Sequence, residues 1–147
     1  MKRVLVTGAA GVIGIKTIKY LLSEGKYEIT ALDLRNKSNY KKLKKYRRRI
    51  NIIYGDINDK VLIEALVKDQ DYIIHLASVL PPIADIKKGL SENIEYLGTE
   101  NIIKAINFYN PECFLVYASS STIYGETEKS SIKSKANLTE NDYYSNT

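Results

Sequence analysis

The sequence is poor in the residues that staple or anchor small domains. Its 147 residues hold one cysteine, Cys113, so no disulfide can form within the chain. It has no tryptophan, one methionine and one histidine, His75. A single cysteine and a single histidine, each beside an apolar run, offer no metal-ligand spacing. Cys113 reads as a packed core thiol, and no metal is expected at His75. Proline is scarce at three residues, and no Pro/Gly-rich linker divides the chain. No apolar run reaches the roughly 18 residues of a membrane span. The first apolar stretch ends at Thr7, too short for a secretory signal. What remains is a cytoplasmic globular chain of a size that suits one domain.

Lysine and arginine number 22 against 17 aspartates and glutamates, a net charge of +5. Much of the excess lies between Lys41 and Arg49, where seven of nine residues are basic. Such a run can bind nucleic acid, with an affinity that falls steeply with salt. No nucleic-acid motif accompanies it, so a solvated helix face is the expected reading and nucleic acid is not an expected partner.

Apolar patterning predicts alternating strands and helices. Lys2 to Val6 reads as a short buried strand. Val12 to Ser23 carries Ile13, Thr17, Ile18, Leu21 and Leu22 at helical spacing, and Gly25 ends that helix. Tyr27 to Asp33 reads as a second strand and Ile50 to Tyr54 as a third. A short helix from Asp59 to Val67 follows, with Asn58 as its expected N-cap. Tyr72 to Leu76 is a fourth strand. Ile83, Ile86, Leu90, Ile94, Leu97, Ile102 and Ile106 mark one apolar face of a long helical segment. Phe114 to Ala118 is a fifth strand, and beyond Tyr124-Gly125 the chain turns polar and aperiodic. This alternation predicts an α/β fold, a doubly wound parallel sheet with its ligand crevice at the carboxyl ends of the strands.

The residues expected to carry chemistry cluster at those ends. Thr7-Gly8-Ala9-Ala10-Gly11-Val12-Ile13-Gly14 follows a strand and opens a helix. In that context Gly8 permits a tight turn, Gly11 lets a pyrophosphate approach the backbone, and Gly14 permits close helix packing. The helix start offers N–H groups and a positive dipole end to phosphates. Asp33 ends the second strand about 20 residues past the glycines, where a carboxylate accepts ribose hydroxyls and repels a 2′-phosphate. NAD is therefore expected over NADP. Arg35, two residues on, pulls the other way.

The GxxGxxG spacing resembles the short-chain dehydrogenase/reductase superfamily, and further motifs resemble its extended branch of nucleotide-sugar epimerases and dehydratases. Gly55-Asp56-Ile57-Asn58-Asp59 resembles a GDI-D segment, which implies that Asp56 contacts the adenine amine and Ile57 its ring. His75-Leu76-Ala77-Ser78 resembles HLAA, Gly98-Thr99-Glu100-Asn101 resembles GTxN, and Ser119 to Gly125 resembles SSxxVYG. The resemblance implies a Rossmann-type unit over residues 1–147. Its cofactor-binding set is Gly8, Ala10, Gly11, Val12, Ile13, Gly14, Asp33, Leu34, Arg35, Asp56, Ile57, Leu76, Ala77, Ser78, Ala118 and Tyr144. Glu95 stands where many members have asparagine.

The family's chemistry uses a Tyr-xxx-Lys pair with a serine or threonine. The serine orders the substrate oxygen. The tyrosine exchanges a proton with a substrate hydroxyl while hydride passes to or from the nicotinamide. A phenol of pKa about 10 is a poor base at neutral pH until neighbouring positive charge lowers it. By position the serine is Ser120 and the tyrosine Tyr144, whose lysine partner would follow Thr147. Tyr143 would need lysine at Thr147. The family pattern continues well past this point, so the last strands, the lysine and the substrate domain are expected outside the chain. The substrate class implied is a nucleotide sugar, and Ser121-Thr122 in place of the dehydratases' frequent Asp-Glu favours an epimerase of the UDP-glucose type or a simple dehydrogenase. An NAD-binding module, or an inactive truncated fragment, without turnover is the alternative reading. An unfinished sheet edge would favour a homodimer.

Overall fold

Strands buried on both faces need apolar side chains at successive positions, and β1 (Lys2–Thr7) supplies them. Val4 and Val6 point to one side of the sheet and Leu5 to the other, all at 1% exposure or less. The computed structural model of the chain describes residues 1–78 and 93–119. Within them, β1, β2 (Tyr27–Asp33), β3 (Asn51–Tyr54), β4 (Tyr72–His75) and β5 (Phe114–Tyr117) form one parallel sheet in the order β3-β2-β1-β4-β5. The register sets Thr7 beside Leu32 on one flank and beside His75 on the other.

Helices cover both faces. On one side α1 (Val12–Glu24) and α2 (Lys37–Leu43) bury Ile18, Leu21 and Leu43 against Val4, Val6, Ile29 and Ala31. On the other, α3 (Lys60–Val67) and α4 (Thr99–Tyr109) bury Ile63, Val67, Ile102 and Ile106 against Leu5, Leu32 and Ile73. Cys113 packs in that second cluster, as expected of a core thiol. The basic run lies across the end of α2, a 3₁₀ turn (Lys44–Tyr46) and the turn that follows. Leu43 anchors it in the core, while Lys41, Lys42, Lys44, Lys45 and Arg47 to Arg49 are exposed.

Two local details depart from the sequence expectation. The N-cap of α3 is Asp59 rather than Asn58. Asp59 has the extended backbone of a cap, and its carboxylate accepts the N–H of Leu62 at 3.1 Å. Asn58 instead sits in the preceding turn and donates its N–H to Asp56 at 2.9 Å. The second departure is Leu97, predicted on the buried face and 43% exposed. Residues Asn93–Gly98 form a π-helical turn ahead of α4. Its wider turn carries the inward face from Ile94 to Gly98, leaving Leu97 outside. Ile83, Ile86 and Leu90 lie outside the described residues.

Leu5 is fully buried at the centre of the sheet. Leu5→Ala is expected to lower the unfolding free energy by about 2–5 kcal/mol, read as a drop in the urea midpoint at constant slope. An unchanged midpoint would contradict its central place in the core.

Candidate dinucleotide-binding site

The chain leaves β1 toward β2 on one side and returns from β3 to β4 on the other, so the connections diverge at the carboxyl ends of β1 and β4. A crevice is expected at such a switch point. A cleft of about 750 Å³ opens there, lined by the glycine turn, the ends of β2 and β4, the Gly55–Ile57 turn and the residues after β5.

The glycine turn is shaped by what a side chain would strike. Gly8 has φ +61°, and a Cβ there would stand 2.5 Å from the carbonyl oxygen of Leu76 and 2.7 Å from the nitrogen of Ala77. At Gly14 a Cβ would run into the Gly8 carbonyl oxygen and the Ala9 backbone, so α1 could not pack so close. Gly11 caps α1 with extended backbone, and among the described residues no side chain bonds to the helix start. The first N–H groups of α1 are thus left for an external acceptor. Val12 and Ile13 line the cleft at 76% and 62% exposure, so its mouth offers apolar surface to a ligand.

Asp33 ties the end of β2 to this turn. One carboxylate oxygen accepts the N–H of Ala10 at 2.7 Å. The other accepts the N–H of Leu34 and the side-chain amide of Asn39, both at 2.8 Å. The ammonium of Lys42 donates to the carbonyl of Ala10 at 3.0 Å. Both backbone polar groups of Ala10 are therefore held from the β2–α2 side.

A chain of hydroxyls and imidazole crosses beneath the cleft. Thr7 Oγ1 accepts the N–H of Leu76 at 3.1 Å and of Ala77 at 3.2 Å. Its own proton then goes to His75 Nδ1, 2.7 Å away. The imidazole proton consequently sits on Nε2, which donates to Thr99 Oγ1 at 3.0 Å. Burial pushes the His75 pKa down to about 4. The occupied lone pairs of Thr7 act in the same sense, because a proton on Nδ1 would meet a saturated oxygen.

The remaining motifs close the far wall. The Asn101 side-chain amide donates to the carbonyls of Ile57 and Asn58, each at 3.3 Å. A Cβ at Gly98 would stand 2.7 Å from Ile57 Cγ2, so the π-helical turn rests directly on Ile57. Ile57 is 6% exposed but still reaches the cleft, and Asp56 beside it is exposed.

Of the residues expected to bind cofactor, Gly8, Ala10, Gly11, Val12, Ile13, Gly14, Asp33, Leu34, Asp56, Ile57, Leu76, Ala77, Ser78 and Ala118 all line this one cleft. Arg35 lines a separate depression with Asn36, Lys37 and Tyr40. Ser120 and Tyr144 lie outside the described residues, as does the side chain of Glu95. Asn39, Lys42, His75 and Thr99 also line the cleft and had no cofactor role in the sequence reading. The i, i+3 spacing of Asn39 and Lys42 just after Asp33 is the one sequence signal that points to the first two.

Strand order, glycine turn and carboxylate-tipped β2 together define a Rossmann-type nucleotide-binding architecture. Residues 4–147 match the sequence pattern of the NAD dependent epimerase/dehydratase family, and the chain belongs to that family. It is 34% identical over 131 residues to a dTDP-glucose 4,6-dehydratase of Mycolicibacterium smegmatis, covering 86% of this chain and 38% of that protein. It is 28% identical over 145 residues to a UDP-glucose 4-epimerase of Yersinia enterocolitica, covering 92% of this chain and 42% of the epimerase. In structure it resembles a UDP-glucose 4-epimerase from Stenotrophomonas maltophila with bound NAD and formylated UDP-arabinopyranose. The TM-score is 0.86 at 23% identity, over 99% of this chain and 45% of the other. The chain thus spans about two fifths of the length of the curated relatives it matches.

His75 gives the site a pH signature. Its folded pKa of about 4 lies below the ordinary 6.5, so the unfolded chain takes up a proton through that window and the folded chain does not. Its contribution is complete above pH 6.5 and declines toward pH 4, by about 3 kcal/mol in all. Urea unfolding across that range is expected to slope less in His75→Asn than in the wild type. Equal slopes would mean that another group titrates.

Proposed function

We propose that this chain binds NAD in the cleft and forms the cofactor-binding part of a nucleotide-sugar epimerase or dehydratase, with an epimerase of the UDP-glucose type the preferred reading. The observation that carries the proposal is the start of α1, to which no side chain among the described residues bonds, facing Asp33 across a turn whose glycines leave no room for Cβ atoms. A pyrophosphate fits the helix start, and a ribose fits the carboxylate. The NAD-containing structures of related fold, among them a UDP-glucuronic acid 4-epimerase from Bacillus cereus, support the same choice of cofactor.

Each wall then has a role. Gly8, Ala10, Gly11, Val12, Ile13 and Gly14 would enclose the pyrophosphate. Asp33 and Leu34 would receive the adenosine ribose, with Arg35 near the loop edge, and the carboxylate disfavours a 2′-phosphate. Asp56 would accept the adenine amine and Ile57 would support the ring. Leu76, Ala77, Ser78 and Ala118 follow the strand ends toward the nicotinamide. Bound NAD supplies a reversible hydride acceptor. By their place in the sequence pattern, Ser120 would orient the reacting sugar oxygen and Tyr144 would take or return its proton. A cytoplasmic location belongs to the same reading, and no helix among the described residues is long and apolar enough to cross a membrane. A homodimer is part of the same reading.

Calorimetry on the chain is expected to show one NAD site. Asp33→Ala should weaken NAD by about tenfold or more, since it removes a charged hydrogen-bond acceptor. A wild-type chain that is folded and does not bind NAD refutes the reading. Turnover is tested on the longest form that the coding sequence specifies, with UDP-glucose and dTDP-glucose as probes. There Tyr144→Phe should lower kcat by roughly 10²–10⁴-fold. An unchanged kcat removes Tyr144 from the chemistry. Binding without turnover in that form marks an NAD-binding module instead.

A further inference from the structure

The adenosine end of the cleft carries a positive group that the family motifs do not account for. Lys42 stands one turn after Asn39 on α2, and both line the cleft beside Asp33. Its ammonium spends one donor on the Ala10 carbonyl and forms no ion pair among the described residues. Two N–H donors therefore remain available next to the glycine turn. Asp33, by contrast, is heavily engaged. Three donors, from Ala10, Leu34 and Asn39, already meet its two oxygens. A carboxylate has about four lone-pair positions, so roughly one remains for a ribose hydroxyl. Those donors also draw off part of the negative charge that would repel a phosphate there.

We infer that Lys42 is a specificity-determining residue that admits a 2′-phosphate at the adenosine ribose, so that the site accepts NADP as well as NAD with only a narrow preference. This rests on the proposal that the cleft binds a dinucleotide. Asp33 provides the preference for the unphosphorylated ribose, and Lys42 limits it by pairing with the extra phosphate. The long flexible stem lets the ammonium leave Ala10 or bridge from it, because a lysine acts as a point charge rather than a fixed fork. Arg35 is not needed for this, since it lines the neighbouring depression.

The test is calorimetric titration of the chain with NAD and with NADP, for wild type, Lys42→Met and Lys42→Arg. The wild type is expected to bind NADP within about tenfold of NAD. Lys42→Met, which keeps the apolar stem, should raise the NADP-to-NAD ratio of Kd values by about tenfold or more, the worth of one charged hydrogen bond. Lys42→Arg should stay close to the wild-type ratio. Thermal melting establishes that each variant is folded. A wild type that binds NAD well and NADP more than about a hundredfold worse overturns the inference and leaves the NAD site standing. So does a Lys42→Met variant that weakens both dinucleotides equally, which would make Lys42 only a tether for Ala10. If a folded wild type binds neither, the dinucleotide reading falls and this inference falls with it.

Discussion

The cleft depends on the hydroxyl of Thr7. β1 and β4 run side by side until Thr7 meets His75, and beyond that point the two chains must separate to leave room for a ligand. Separation would strand the N–H groups of Leu76 and Ala77, which have lost their strand neighbour. The Thr7 oxygen accepts both, at 3.1 and 3.2 Å, and passes its own proton to His75. One side chain thus ends the ladder without leaving a buried donor unmet. It also brings the Leu76 carbonyl so close to Gly8 that no Cβ could stand there. The positive φ of Gly8 and the parting of the strands are two views of the same constraint.

From that point the order extends outward in both directions. His75 carries it to Thr99 at the start of α4, and Asn101, half a turn further on, holds the turn that presents Asp56 and Ile57. On the opposite side Ala10 is held at its N–H by Asp33 and at its carbonyl by Lys42. Four motifs that lie far apart in sequence are therefore joined by direct hydrogen bonds or by van der Waals contact. Preorganisation of this kind reduces what a ligand must spend on ordering its site.

Much of this was legible in the sequence, for reasons that can be named. Buried parallel strands require apolar runs, and Val4-Leu5-Val6 and Ile73-Ile74 have no other economical use. A glycine turn between a strand and a helix is likewise a local signal, and so is an acid at the tip of β2. The failures are tertiary. Asn58 and Asp59 are equally good caps by type, and only the bond from Asn58 N–H to Asp56 puts the cap one residue later. Leu97 fits an ideal helical period, but the π-helical turn adds residues to that period, and Ile57 occupies the space against which Gly98 must pack. Lys42 reads as part of a solvated basic run, and its i, i+3 spacing from Asn39 does not by itself say that its ammonium reaches Ala10. His75 shows only the lack of a metal-ligand pattern in the sequence, and its two partners come from β1 and α4, 68 and 24 residues away.

The charges of the cleft are arranged along its length rather than cancelled in pairs. The start of α1 is positive through its backbone and carries no acidic residue in its first turn. Asp33 ends β2 and Asp56 follows β3, while Lys42 bonds the Ala10 carbonyl in the glycine turn. A ligand that is anionic in the middle and rich in neutral donors at one end matches this sequence of charges, whereas a simple polyanion would meet two carboxylates. Val12 and Ile13, exposed at the mouth, add an apolar contribution to any ligand that covers both. The selectivity of the site therefore follows from the order of charge and surface along the cleft. No single residue carries it, and that is why an exchange at one position is expected to retune rather than abolish recognition.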